Sequence, residues 1–300
     1  MRIIHSRDVK PIEPAPTLKA RLETISEEQL RLWVQQISRP RHFVSEGRQN
    51  QLTADWLVET LASFGFRPQR QGPFSNIIAL PPECPDEVML VGAHFDSVPG
   101  SPGADDNASA VATMLGCAAV CAAEPRPPVV VAAFNREEEG FLGSRDFVES
   151  HLPNASFRIR CAHILEMVGY ASSAPGSQRL PTGLPIQLSD VGNFLGLLAN
   201  QQSAEFMDGI LGRAAASGND LPVIGLQVIP GAERLFPVLA RSDHVPFWSR
   251  QIAAVMWTDT AEFRNPNYHQ PTDAPETLDY GFLTRVTQLL AASVLGKEFT

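Results

Sequence analysis

The chain is short of positive charge, of long apolar runs and of cysteine. Its 24 lysines and arginines stand against 33 aspartates and glutamates, a net charge of −9 with an isoelectric point near 5.3. Proteins that track phosphates usually carry a basic surplus, so no nucleic-acid partner is expected. The longest uninterrupted apolar run, Cys117 to Ala123, is far shorter than the roughly 20 residues of a membrane span, so none is expected. The opening MRIIHSRDVKP has no apolar stretch followed by a small-residue cleavage site, and no secretory signal is expected. Four cysteines (Cys84, Cys117, Cys121, Cys161) in 300 residues make no disulfide framework, and a reducing cytoplasm is the expected setting. No G-x-S-x-G elbow offers a serine nucleophile, and no internal repeat is visible. What remains is an ordinary globular balance, 44% apolar and 19% charged, in a chain long enough for a full core. Nothing in it specifies an oligomeric state.

The first 20 residues contain PIEPAP and no apolar periodicity, and read as an extended surface arm ahead of a single domain over 21–300. Ser26 with Gln29 forms a capping-box pattern before Leu30, Trp33, Val34 and Ile37, which fall at helical spacing. A second helix is expected over 51–64, ending at Gly65. Strands are expected over 76–80, 87–93, 129–135, 161–167, 223–229 and 252–258. Helices are expected over 107–123, 144–151, 192–216 and 278–295. Such alternation implies an α/β fold, with helices on both faces of a mainly parallel or mixed sheet.

In that arrangement ligands gather at the carboxyl ends of the strands. The polar residues there are consistent in kind. His94-Phe-Asp96 follows one strand, and Gly103-Ala-Asp105-Asp106-Asn107 lies between it and its helix. Glu137-Glu138-Glu139 follows the next, Glu166 stands on a third, and Tyr268-His269 to Asp273 follows a fourth. Two histidines among crowded carboxylates suit zinc, which takes imidazole nitrogen and carboxylate oxygen. Two metals about 3.5–4 Å apart would neutralise the mutual repulsion and could activate a water.

The strings AHFDSVPGSPGADDNASA, FNREEEGFLGS, LEMVG, RSDHVPF and YHQPTD, in that order, closely resemble the di-zinc exopeptidases of the aminopeptidase S and aminopeptidase Y type, relatives of the glutaminyl cyclases. The resemblance covers roughly residues 25–297. It implies a three-layer α/β/α sandwich around a mixed, mostly parallel sheet, two zinc ions, and hydrolysis of a peptide or small amide, with removal of N-terminal residues as the expected activity. It further implies metal ligation by His94, Asp106 (bridging), Glu138, Glu166 and His269, and a general base at Glu137. Tyr268 corresponds to a tyrosine that can stabilise the tetrahedral oxyanion. Asp96 corresponds to the residue that orients the histidine, Arg241 to a substrate-facing residue, and Asp243-His244 to a pair behind the ligands. It implies a cis Asp106–Asn107 bond. Asp105 is expected to be a loop residue or helix cap, and Glu139 a rim or cap residue. Glu166 stands where many members have Asp, which puts a strict requirement for a free α-amine in question. Three alternatives stay open: a glutaminyl cyclase, a small-amide hydrolase or carboxypeptidase, and a non-catalytic metal-binding module.

The remaining histidines carry plainer expectations. His5 and His42 are expected on the surface, His151 at a helix end, and His163 on the sheet face opposite Glu166. Cys117 and Cys121 share a helix face as small core residues. Specificity loops are expected at 171–190 and 228–241.

Overall fold

The structure, a computed structural model, describes residues 1–216 and 220–296; residues 297–300 of the expected domain lie outside it. The strands are β1 (Arg2–His5), β2 (Arg67–Gln71), β3 (Asn76–Leu80), β4 (Glu87–His94), β5 (Val129–Phe134), β6 (Arg158–Glu166), β7 (Leu195–Ala199), β8 (Val223–Gln227) and β9 (Ala254–Thr258). They form one mixed sheet in the order β1-β8-β7-β9-β6-β4-β5-β3-β2. Its centre, β5, β4, β6 and β9, is parallel, and antiparallel pairings appear towards both flanks.

The helices are α1 (Pro16–Leu22), α2 (Glu27–Ile37), α3 (Gly47–Ser63), α4 (Ala110–Cys121), α5 (Leu142–Asp146), α6 (Ala204–Ala214), α7 (Ala232–Leu235), α8 (His244–Ser249) and α9 (Tyr280–Val294). The core on one sheet face is built with apolar side chains of α2, α3, α4, α6 and α9. The opposite face packs on Phe147 and Val148, just after α5, and on Phe247 of α8. The three-layer α/β/α arrangement is therefore present. All of Val129–Phe134 is buried, as a central strand covered on both faces requires. The chain leaves β4 for β5 on one side and returns to β6 on the other, so β4 lies at a topological switch point, where such folds place ligands. Among the described residues no helix is long and apolar enough to cross a membrane.

Three expectations need correction. The helix expected over 192–216 is strand β7, a turn at Gln201–Ser203, and α6. A short apolar run fits a buried strand as well as a helix; here pairing with β8 and β9 decides, and the Asn200 side chain caps the turn by accepting from the Ser203 N–H. The expected surface arm contains edge strand β1, paired antiparallel with β8, and helix α1 begins at Pro16. His42 is buried, its Nδ1 accepting from the N–H groups of Val44 and Ser45 at 3.3 and 3.1 Å. His163 faces away from Glu166, edge-on to Trp257 in the larger core.

Candidate metal centre

Four neighbouring strand ends deliver the site. His94 is the last residue of β4, Glu137 and Glu138 follow β5, Glu166 ends β6, and His269 lies in the loop after β9. Asp106 comes from the irregular turn Ala104–Ser109 before α4, and its peptide bond to Asn107 is cis. The Asp106 carboxylate faces both histidines: Oδ1 is 3.3 Å from His94 Nε2 and Oδ2 is 3.1 Å from His269 Nε2. Glu166 Oε2 is 3.6 Å from His94 Nε2, and Glu138 Oε2 is 3.2 Å from His269 Nε2. These side chains thus fall into two groups, one around each histidine, with Asp106 between them. Glu137 Oε2 lies 3.9 Å from His94 Nε2.

These groups approach closely without hydrogen bonding well. Both His94 nitrogens, Asp106 Oδ1 and Glu138 Oε1 are buried and lack a hydrogen-bond partner. Buried polar atoms are seldom left this way, and His94, Asp106 and Glu138 each bring one donor atom within 4.8 Å of the others, which suits a divalent cation. The electrostatics agree. Burial pushes the Glu137 carboxyl well above the ordinary range against the pull of His94, with Glu166, Asp243 and Glu138 adding to the rise. Burial and the charge on Asp106 push Glu138 up to about 7. Asp106 moves the other way: burial would raise it, but the flanking His269 and His94 hold it below the usual carboxylate range. A site so crowded with carboxylates gains most from positive charge between them.

A second layer of contacts fixes this geometry. Asp96 accepts from the backbone N–H groups of Glu137 and Glu138 at 3.2 and 3.4 Å, and its Oδ1 is 3.4 Å from His94 Nδ1. Asp273 accepts from the N–H groups of Asp105 and Asp106 at 2.9 and 3.1 Å. Asn107 clamps the end of β6, donating to the Leu165 carbonyl and accepting from the Met167 N–H. Ser242 donates to Glu166 Oε2 at 2.7 Å, and Ser144 donates to buried Asp243. Arg41, fully buried, donates to the carbonyls of Phe95, Pro102 and Gly103, tying down the loop that leads from His94 to Asp106. Asp105 is more than the expected cap: buried, it accepts from the Gly169 N–H and the Asn265 amide and so joins three loops. Glu139 pairs with Arg136 away from the centre.

At the mouth, Tyr268 stacks on His269 with ring centroids 3.8 Å apart. Arg241 donates to the Tyr268 hydroxyl at 3.1 Å and is paired with Glu262. Glu166, Arg241 and Tyr268 also line a largely apolar cavity of about 160 Å³. Its walls come from 178–188 and 238–241, inside the two segments expected to carry specificity, from 260–263 outside them, and from the sheet beneath.

The profile of Peptidase family M28 matches residues 76–294, which contain every one of these groups except Arg41. The chain belongs to peptidase family M28. As an M28 peptidase it is a metallopeptidase with zinc as its metal. The uncharacterised Escherichia coli protein YfbL is 32% identical over 251 residues, 78% of this chain and 76% of its own length. BSAP, a zinc aminopeptidase from Bacillus subtilis, is 31% identical with a TM-score of 0.53, over 73% of this chain and 49% of its own, so the M28 chain spans about half of that relative. A glutaminyl cyclase of Porphyromonas gingivalis superposes with a TM-score of 0.63 at 21% identity over 90% of this chain and 98% of its own, a likeness of fold alone.

The structure brings His94, Asp96, Asp106, Glu137, Glu138, Glu166 and His269 together, with Tyr268 and Arg241 at the mouth; Asp243 and His244 do not pair, since Asp243 accepts from Ser144 and the buried His244 ring meets the Leu239 carbonyl at 3.1 Å. Asn107 and Asp273 stand among the strand-end residues of the sequence without an assigned supporting role, and Ser242 and Ser144 have none either, although all four lie inside the motif strings. Arg41 had no signal, because nothing local marks a residue that acts across the fold.

Proposed function

We propose that the protein removes N-terminal residues from peptides with two bound zinc ions, His94, Asp106 and Glu166 holding one and Asp106, Glu138 and His269 the other. The observation that carries this reading is the Asp106 carboxylate, one oxygen 3.3 Å from His94 and the other 3.1 Å from His269. When bound, the zinc pair supplies Lewis-acid polarisation and lowers the pKa of water. Glu137 accepts the proton of the attacking water at its carboxylate and returns it to the nitrogen of the leaving amine. Its burial and raised proton affinity fit that task. The Tyr268 hydroxyl donates to the oxygen that becomes negative as the carbonyl turns tetrahedral. Arg241 and Asp243 hold Tyr268 and the helix behind the ligands in place. Glu166 meets the substrate's α-amine, and the adjoining cavity receives the first side chain. Its apolar walls favour leucine, methionine or phenylalanine over charged residues. The free thiols of Cys84, Cys117, Cys121 and Cys161 suit a reducing compartment such as the cytoplasm.

The test is zinc content with a substrate panel. Reconstituted protein should carry two zinc ions per chain and hydrolyse leucine anilide, with N-acetyl-leucine anilide far slower. One tight zinc ion, with cyclisation of N-terminal glutamine instead of hydrolysis, would replace this reading by the cyclase.

A further inference from the structure

The floor of the apolar cavity is the sheet itself, and it lies in register with the metal centre. Glu166 on β6 pairs with Thr258 on β9, Thr258 pairs with Gly196 on β7, and Gly196 pairs with Ile224 on β8. These four residues stand in one row across the sheet, so their side chains share a face. Glu166, Thr258, Gly196 and Ile224 all line the cavity. Strands lie about 4.8 Å apart, which puts Gly196 roughly 10 Å from Glu166 along the row.

Gly196 is the gap in that floor. Its backbone is an ordinary strand, without the positive φ that would call for glycine. A glycine inside a strand weakens it, and often marks a close approach by a ligand. A Cβ at this position would stand 3.2 Å from the Thr258 carbonyl oxygen, and 3.5 and 3.7 Å from the methyls of Thr258 and Thr260. A methyl therefore fits with a shift of a few tenths of an ångström, and a larger side chain must grow into the cavity. An apolar cavity of about 150 Å³ holds one benzene, so this one, at about 160 Å³, has room for a single large side chain and little to spare.

We propose that Gly196 sets the depth to which the substrate's first side chain can enter, and so admits large apolar residues. The inference rests on the aminopeptidase reading. Ala, Leu and Phe anilides are compared on the parent and on Gly196→Ala, with Gly196→Val as the stronger step, after zinc content and melting temperature confirm an intact site. For Gly196→Ala, kcat/KM for Leu and Phe should fall about 10-fold, in the range one methyl group commands in an apolar pocket, while Ala changes by less than about 3-fold. Gly196→Val should widen the gap. An equal fall on all three substrates makes Gly196 purely structural and overturns the proposal, as does an unchanged Phe-to-Ala ratio. A parent inert towards all three overturns the aminopeptidase reading, and the inference with it.

Discussion

In the proposed function Asp106 and Glu137 divide the work of the centre, one as the shared ligand and the other as the free carboxylate beside it. Glu137→Gln keeps the size of the side chain and removes only the proton acceptor. Zinc content should stay at the parent level while kcat falls by a factor of about 10²–10⁴, the usual contribution of a positioned base. Metal analysis alongside steady-state kinetics checks both halves; if Glu139→Gln is the dead variant instead, the roles along the Glu run must shift. Glu166 is a second residue with a distinct outcome. Glu166→Ala should weaken one zinc site and leave the other occupied, visible as biphasic loss of metal to a chelator. Glu166→Asp should retain both ions and alter the preference between free and N-blocked substrates. These candidate ligands are legible in the sequence because zinc accepts few residue types and they stand at strand ends or in the loops that follow them. Ser242 and Asp273 are not, because a serine or aspartate that supports a ligand looks like any other until its partner is known.

Loops, more than strands, carry the supporting contacts, and their order comes from side chains distant in sequence. Asp273 is the clearest: one carboxylate receives two consecutive N–H groups, of Asp105 and Asp106, and so fixes the turn that presents the Asp106 carboxylate to both histidines. Replacing such a supporting group usually weakens metal binding about 10- to 100-fold. Asp273→Ala should do so in a chelator competition, with the far-ultraviolet circular dichroism unchanged. Arg41 does the same for the 95–103 loop through three carbonyls. Arg41→Met strands buried acceptors at about 1–3 kcal/mol each, so a loss of several kcal/mol in denaturant unfolding is expected. The segment 192–216, expected as one helix, follows the same rule. Phe194 to Ala199 is an apolar run that either period can use, and only the neighbouring β8 and β9 make it a strand.

At the scale of the whole molecule, two histidines away from the centre tie stability to pH. His163 and His244 are buried, and burial holds them down to about 3 and about 4, for His163 with help from Arg213. The unfolded chain binds these protons near the ordinary histidine value and the folded chain does not, so stability falls as pH drops below about 6.5. By pH 5 each histidine should cost about 2 kcal/mol relative to neutral pH. His163→Leu should flatten that dependence by about one proton, measured as the difference in unfolding free energy from the parent at pH 7 and pH 5. An equal slope in both proteins would show that His163 does not titrate on unfolding. The sequence alone determined the α/β class, the ligand types and the motif order, because periodicity and zinc chemistry act through residue identity and short spacing. Tertiary structure decided the rest. It made β1 an edge strand, turned half of an expected helix into β7, and aligned Glu166, Thr258, Gly196 and Ile224 into one cavity floor. Those outcomes depend on which strands become neighbours, and strand neighbours are set by burial across the whole chain, beyond the reach of any local pattern.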